Sequence, residues 1–176
     1  MQNDPRIADL RRRRDETLKA EENNVLRREH GPKLVQALSA ATKYDLNIES
    51  FDVGKFPPFS LDWNGKLEDA GGLVKAYVNE EEVRSLLFCM ERRSSCADGY
   101  VGILNNDYLG LSLVTGLSLQ GMVESAQRSE DSVVFYPEGG EGAVVVDYYP
   151  SSPGDGYSVL VQGGKMIELF KECFVD

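Results

Sequence analysis

The chain is poor in the residue types that carry most enzyme chemistry, with one histidine and three cysteines in 176 residues. A catalytic histidine needs a nucleophile and an orienting acid beside it, and no GxSxG motif accompanies His30. A zinc site needs several His or Cys ligands close together. The sequence therefore predicts no catalytic residue, no metal site and no bound cofactor.

The three cysteines, Cys89, Cys96 and Cys173, follow no regular spacing. Their number is odd and no CxxC pair occurs, which speaks against a disulfide framework. Cys89 falls inside an apolar helical stretch, so we expect it to be a buried thiol. Cys96 follows that helix, and we expect it to be exposed.

Long apolar runs are also missing from the sequence. No stretch approaches the roughly 18–20 apolar residues that a membrane helix needs, and the charged N-terminus lacks the apolar segment of a secretory signal. These absences predict a cytoplasmic protein with no membrane partner. The hydrophobic fraction of 41% is still enough to fill one core.

The net charge of −10 is unevenly distributed along the chain. Residues 1–50 carry a net charge of +1, whereas residues 51–176 carry −11. A nucleic-acid binder normally shows a basic face, and the main basic run here is Arg11–Arg14. The acidic remainder would repel nucleic acid and anionic lipid. Two interpretations stay open: the charge serves solubility, or it attracts a basic protein partner.

The N-terminal region has the start and stop signals of helices. Asp4-Pro5 is typical of a helix start, and His30-Gly31-Pro32 is typical of a helix end. The pattern predicts a long, mostly polar helix over 5–30 and a second helix over 32–43. Charged residues interrupt the apolar stripe of the first helix, so we expect it to pack lightly.

The clearest helix is predicted at 79–95. Asn79 can cap it, glutamates fill its first turn where the helix dipole favours anions, and apolar residues recur at helical spacing. These apolar residues, which we expect on the buried face, are Val83, Leu86, Leu87 and Met90.

Elsewhere short apolar or alternating segments predict strands, separated by glycine, asparagine and proline turns. The predicted strands lie within 46–53, 59–63, 73–78, 100–104, 108–114, 132–136, 143–149 and 157–161, and further helices at 118–127 and after Gly163-Gly164. Hairpins joined by occasional helices predict an α+β fold with a mainly antiparallel sheet, packed helices and an N-terminal helical arm. The predicted organisation is an arm over 1–44 and an α+β domain over 45–176.

Two glycine-rich turns are candidate phosphate sites. Gln162-Gly163-Gly164-Lys165 lies between a predicted strand and a predicted helix, where phosphates can bind, but it lacks the spaced glycines of acetyltransferase turns. Residues 138–142 lack the Lys-Ser/Thr ending of a phosphate loop and join two strands. We interpret the second turn as a hairpin tip and leave ligand binding at Gly163-Gly164 open.

Acidic residues and tyrosines near the second hairpin are the candidate partner-binding residues. Tyr148 and Tyr149 are neighbours in a strand and therefore point to opposite faces, so one should be buried and the other exposed. An exposed tyrosine beside acidic groups can anchor an interface. The predicted partner-binding residues are Glu138, Glu141, Asp147, Tyr148, Tyr149 and Asp155.

Three functional hypotheses follow from these features. The first is a non-enzymatic inhibitor or immunity-type protein that neutralises a basic toxin or nuclease, with association accelerated by complementary charge. The second is a chaperone or adaptor for a secreted or assembled protein. The third is an enzyme whose site the motifs do not reveal.

Overall fold

A computed structural model of the chain describes residues 5–55, 72–94, 98–139, 142–150 and 156–174. Within these residues, helices pack on one face of a seven-stranded antiparallel sheet. This arrangement confirms the predicted α+β class and the N-terminal helical arm. The strand predicted at 59–63, and the expectation for Cys96, lie outside the described residues.

The helices and strands alternate irregularly along the chain. The helices are α1 (Pro5–Leu38), α2 (Glu80–Arg93), α3 (Leu119–Ser129) and α4 (Gly164–Phe174), with single 3-10 turns at Ser39–Ala41 and Ile48–Ser50. The strands are β1 (Phe51–Asp52), β2 (Leu73–Asn79), β3 (Gly99–Ile103), β4 (Leu111–Val114), β5 (Val133–Pro137), β6 (Ala143–Tyr149) and β7 (Gly156–Gln162). The strand order in the sheet is β1-β4-β3-β5-β6-β7-β2, and all neighbours are antiparallel.

The predicted helix after residue 79 forms as α2. The Asn79 side chain accepts a hydrogen bond from the Glu82 N–H (2.9 Å), and the Glu82 carboxylate accepts one from the Asn79 N–H (2.9 Å). This capping box satisfies two backbone donors that the first turn would otherwise leave unpaired. The four apolar residues expected on its inner face are all buried, which confirms that part of the prediction: Val83, Leu86, Leu87 and Met90.

The sheet is apolar on both faces near its centre. The main core lies between the sheet and the helices. A smaller apolar cluster covers the outer face and comprises Leu111, Val134, Tyr136, Ala143, Val145 and Leu160. Burial on both faces explains why every residue of β5 is buried.

The prediction of two separate N-terminal helices is wrong, because α1 continues through Pro32 to Leu38. Gly31 does not end the helix. It permits a close approach, since an added Cβ would lie 2.6 Å from Ile48 Cδ1. The last turns bury four apolar side chains, and that burial offsets the hydrogen bond that Pro32 cannot donate. These side chains are Leu34, Val35, Ala37 and Leu38. His30 therefore lies inside α1, exposed, rather than in its last turn.

The first half of α1, residues 5–26, makes little apolar contact, in agreement with the prediction of light packing. Four of its five large apolar side chains, Ile7, Leu10, Leu18 and Val25, are exposed, and Leu26 is half-buried. Lys19 attaches this half to the body, since its Nζ lies 2.9 Å from Asp107 Oδ2, in the loop between β3 and β4. Among the described residues, no helix has both the length and the apolar character that a membrane crossing requires.

Arg27 is the main polar attachment of α1 to the rest of the fold. Its guanidinium donates to the backbone carbonyls of Ile48 and Phe51 (both 2.8 Å), Leu109 (2.7 Å) and Tyr108 (3.2 Å). One cation therefore joins the 3-10 turn before β1 to the loop before β4. Sequence reasoning missed this role, since carbonyl partners leave no residue pattern.

Cys89 and Cys173 form a disulfide that joins α2 to the end of α4, with their Cα atoms 5.7 Å apart. The expectation of a buried Cys89 thiol and no disulfide is therefore wrong. The two cysteines are 84 residues apart, and only the packing of α4 against α2 brings them together. No local spacing rule detects such a pair.

Candidate protein-binding site at the acidic end of the sheet

Strand register brings acidic residues from three parts of the chain to one end of the sheet. Asn79 of β2 pairs with Gly156 of β7, which pairs with Tyr149 of β6. The first turn of α2 follows Asn79 directly, and the junction between α3 and β5 lies beside the end of β6. We call this region the acidic end and define it by Glu80, Glu81, Glu82, Glu130, Asp131 and Asp147.

Two of these carboxylates are already engaged within the protein. Glu80 Oε1 lies 2.8 Å from Arg84 Nη2, and Glu82 closes the capping box of α2. The other four form no salt bridge with any described residue: Glu81, Glu130, Asp131 and Asp147. These four carboxylates therefore carry negative charge that no cation of the described residues contacts directly.

Ser132 holds Asp131 and Asp147 near one another. The Ser132 hydroxyl donates to Asp147 Oδ1 (3.0 Å), and the Ser132 N–H donates to Asp131 Oδ1 (2.8 Å). Partial burial raises the pKa of Asp131, the bond from the Ser132 N–H lowers it, and the charge of Asp147 raises it again. The two carboxylates thus repel each other at a partly buried position. A cation placed between them would interact with them more strongly than it would with carboxylates in bulk water.

Tyr149 borders this pair on the outer face of the sheet. Its hydroxyl lies 3.5 Å from the Ser158 hydroxyl. The pKa of Tyr149 is raised chiefly by burial, then by its hydrogen bond to Asp147, and lowered by Ser158 and the nearby charge of Lys75. The Lys75 ammonium lies 4.8 Å from the centre of the Tyr77 ring. The acidic end is therefore bordered by the tyrosine rings of Tyr77 and Tyr149 and by the ammonium of Lys75.

Tyr148 points to the opposite face, as strand alternation predicts. Its ring packs against the main core and lies 5.2 Å from the ring of Tyr157. Burial raises the pKa of Tyr157 to about 12, and the charge of Glu80 adds to this effect. The two tyrosines point to opposite faces, as expected. Both are half-buried, however, so the expectation that one is buried and the other exposed is wrong. Only Tyr149 shares the face of Asp147.

Glu138 lies away from the acidic end. Glu138 is exposed, and its N–H donates to the Asp98 carbonyl (2.9 Å). It follows β5 at the far end from Ser132, six residues away, which is about 20 Å along a strand. Of the six predicted partner-binding residues, the structure brings Asp147 and Tyr149 together and separates Glu138 from them. Glu141 and Asp155 lie outside the described residues.

Sequence reasoning missed Glu81, Glu130 and Asp131 as members of the site. The glutamates of α2 were assigned only to the helix dipole. The signal for Asp131 was available in the hairpin, because the pairing of Val133 with Val146 continues to Ser132 opposite Asp147. Without the strand order, however, nothing placed the start of α2 at the same end.

The described residues offer no group of three or more His, Cys, Asp or Glu side chains arranged to hold a metal ion. The turn before α4 has Gly163 at φ +93°, and the Gly163 carbonyl accepts a hydrogen bond from the Ile167 N–H (2.9 Å). This bond closes the first helical turn.

Comparison with known proteins adds no assignment, since no family model, no curated protein and no solved structure matches the chain. The function must be argued from the charges and the geometry of the acidic end.

Proposed function

We propose that the protein is a non-enzymatic protein-binding module of the inhibitor or immunity type, which neutralises a basic toxin or nuclease through its acidic end. The observation that carries this proposal is the pair formed by Asp131 and Asp147. Ser132 donates a hydrogen bond to each carboxylate, the charge of Asp147 adds to the burial that raises the pKa of Asp131, and neither carboxylate has a cationic partner among the described residues. A cation supplied by a partner would offset the repulsion between the two charges.

An arginine suits this position for a geometric reason. Its planar guanidinium can donate to two carboxylate oxygens at once, and such charge-assisted bonds are roughly twice as strong as neutral ones. Tyr149 borders the carboxylates and supplies apolar contact beside the charged groups. The surrounding Glu81 and Glu130 extend the negative field, which accelerates encounter with a basic protein.

The cytoplasmic location remains part of the proposal, and the disulfide is the feature that weighs against it. Disulfides are rare in reducing compartments, so we expect Cys89 and Cys173 to be thiols in the producing cell if the location is right. Alkylation of the cells before lysis, followed by mass spectrometry, measures this directly. A fully oxidised pair would place the protein in an oxidising compartment.

Affinity capture from the source cells tests the proposed function. The bait proteins are the wild type, Asp131→Asn combined with Asp147→Asn, and Glu138→Gln as the control at the distant tip. The asparagines retain the hydrogen-bond acceptors for Ser132, so the fold is preserved while two charges are removed. We expect one basic protein on the wild type and on the control, and its loss from the double variant.

The captured protein must also be inhibited. A toxic or nuclease activity of the isolated partner should fall on addition of the wild type and fall less on addition of the double variant. Retention of several unrelated export clients by all three baits would instead support the chaperone or adaptor hypothesis and overturn the proposal.

A further inference from the structure

A stripe of six residues on the exposed half of α1 has the spacing of a coiled-coil seam. Successive members are separated by alternating steps of four and three residues, as the core positions of heptads are. The apolar members are Ile7 and Leu18, each 51% exposed, and Val25, 39% exposed. We call this stripe the outer seam; it comprises Ile7, Arg11, Arg14, Leu18, Glu21 and Val25.

The outer seam faces away from the rest of the protein. The side of α1 that touches the body carries Lys19, which pairs with Asp107, Asn23, which lines a cleft beside β4, and Arg27. At about 100° per residue, the mean directions of that side and of the outer seam differ by about 160°. The body therefore leaves the apolar members of the seam uncovered.

The three charged residues of the seam have no ion pair with a described residue. In the basic run, Arg12 and Arg13 each pair with Asp9, at 2.8 and 3.0 Å. Arg11, Arg14 and Glu21 form no salt bridge with any described residue. These three charges therefore lie in line with the uncovered apolar residues and are available to a second helix.

We propose that the outer seam binds the same seam of a second copy of this chain, with the two helices antiparallel. In the register that aligns the seams, Ile7 faces the partner copy's Val25, Arg11 faces Glu21, and Arg14 faces Leu18. The first pair is apolar and the second has opposite charges. In the third, the aliphatic stem of arginine covers leucine while the guanidinium stays in water.

Charge selects the antiparallel arrangement over the parallel one. Parallel helices in register would place Arg11 on Arg11, Arg14 on Arg14 and Glu21 on Glu21, and like charges at facing positions repel. The antiparallel arrangement replaces these contacts by the matched pairs. It also places the two acidic bodies at opposite ends of the helix pair, where their mutual repulsion is smallest.

The contact is short, and the dimer is therefore weak. The aligned segment from Ile7 to Val25 spans about 28 Å of helix and contains only three apolar seam residues. A surface of this size falls at the small end of specific interfaces. We expect a reversible dimer with a dissociation constant in the micromolar range, roughly 1–100 μM. This inference is independent of the proposed function.

Sedimentation velocity on the full chain at about 0.15 M salt, over a concentration series, tests the proposal with charge reversals. Arg11→Glu and Glu21→Arg each replace an attractive pair by a repulsive one at two symmetric positions, and each should raise the dissociation constant roughly tenfold or more. The two changes together restore opposite charges, and the double variant should dimerise as the wild type does. Arg12→Glu, the same change on another side of α1, is the control and should dimerise normally.

Circular dichroism confirms that each variant keeps its helix content. A wild type that is monomeric throughout the series would overturn the proposal. Dimers that persist unchanged in both single variants, or a double variant as weak as the single ones, would overturn it as well, because the pairing of Arg11 with Glu21 would then contribute nothing.

Discussion

The sheet with its packed helices and the exposed half of α1 are stabilised by different forces, although both are rich in charge. The sheet region buries a contiguous apolar core, whereas residues 5–26 of α1 expose four of their five large apolar side chains. The exposed half depends on local ion pairs such as Arg12 with Asp9, and on the attachments at Lys19 and Arg27. A helix this polar is marginal alone, so it persists by continuing a helix whose last turns are buried.

Core truncation should show the largest difference between the two regions. Leu87 is fully buried and Leu18 is half-exposed. We expect Leu87→Ala to lower the free energy of unfolding by about 2–5 kcal/mol. Leu18→Ala, the matched control, should change it by less than about 0.5 kcal/mol at concentrations where the chain is monomeric. Urea denaturation measures both, and equal effects would contradict the division into a packed and an exposed region.

Loss of the disulfide should be the next largest effect. Cys89 and Cys173 close a long loop that ties α4 to α2. Replacing both by serine, or adding reductant, should lower the free energy of unfolding by about 2–4 kcal/mol. Cys96→Ser is the matched control. If reductant does not change the melting temperature of the wild type, the disulfide does not stabilise the fold.

Arg27 marks the boundary between the two regions, and truncations can locate it. Deleting residues 1–26 should leave a cooperative fold of nearly unchanged stability, because the deleted segment buries little apolar surface. Arg27→Met removes the donor to four carbonyls and should cost about 2 kcal/mol. Deleting 1–30 should resemble Arg27→Met. If the chains lacking residues 1–26 and 1–30 have the same melting temperature, the hydrogen bonds of Arg27 do not contribute to stability.

The pH dependence of the melting temperature should show the smallest effect, and it tests whether the ionised carboxylate of Asp131 opposes folding. Since the folded state raises the pKa of Asp131, its ionised form opposes folding, and this cost is present above that pKa and vanishes below it. Asp131→Asn should therefore match or slightly exceed the wild-type melting temperature at pH 7, and the difference should vanish by about pH 3. If Asp131→Asn is instead less stable than the wild type at pH 7, the folded protein stabilises the ionised carboxylate, and the account of Asp131 is wrong.

Much of the fold was predictable because the local signals agree with the packing. In α2 the cap, the first-turn glutamates and the apolar spacing all indicate the same helix. The side-chain alternation expected in β6 also holds, since Tyr148 and Tyr149 lie on opposite faces. The stop signal at Gly31-Pro32 failed, because the glycine serves a close approach of Ile48 that no local pattern contains.

The candidate site was predictable only in part, for a topological reason. Asp147 and Tyr149 lie in one strand, so their proximity follows from the sequence. The addition of Glu81 and Asp131 depends on β2, β7, β6 and β5 being neighbours in that order. Strand order and the disulfide both arise from long-range packing, which neither spacing nor composition encodes.

The most direct test of the account is the rate at which the captured basic partner associates with the acidic end, measured by stopped flow at several salt concentrations. The Debye length falls from roughly 30 Å at 0.01 M to roughly 8 Å at 0.15 M. The wild-type association rate should therefore fall steeply over this range. Asp131→Asn with Asp147→Asn should associate more slowly at low salt, and Glu138→Gln should be closer to the wild type. A rate that does not depend on salt and is equal for all three proteins would contradict electrostatic capture by the acidic end.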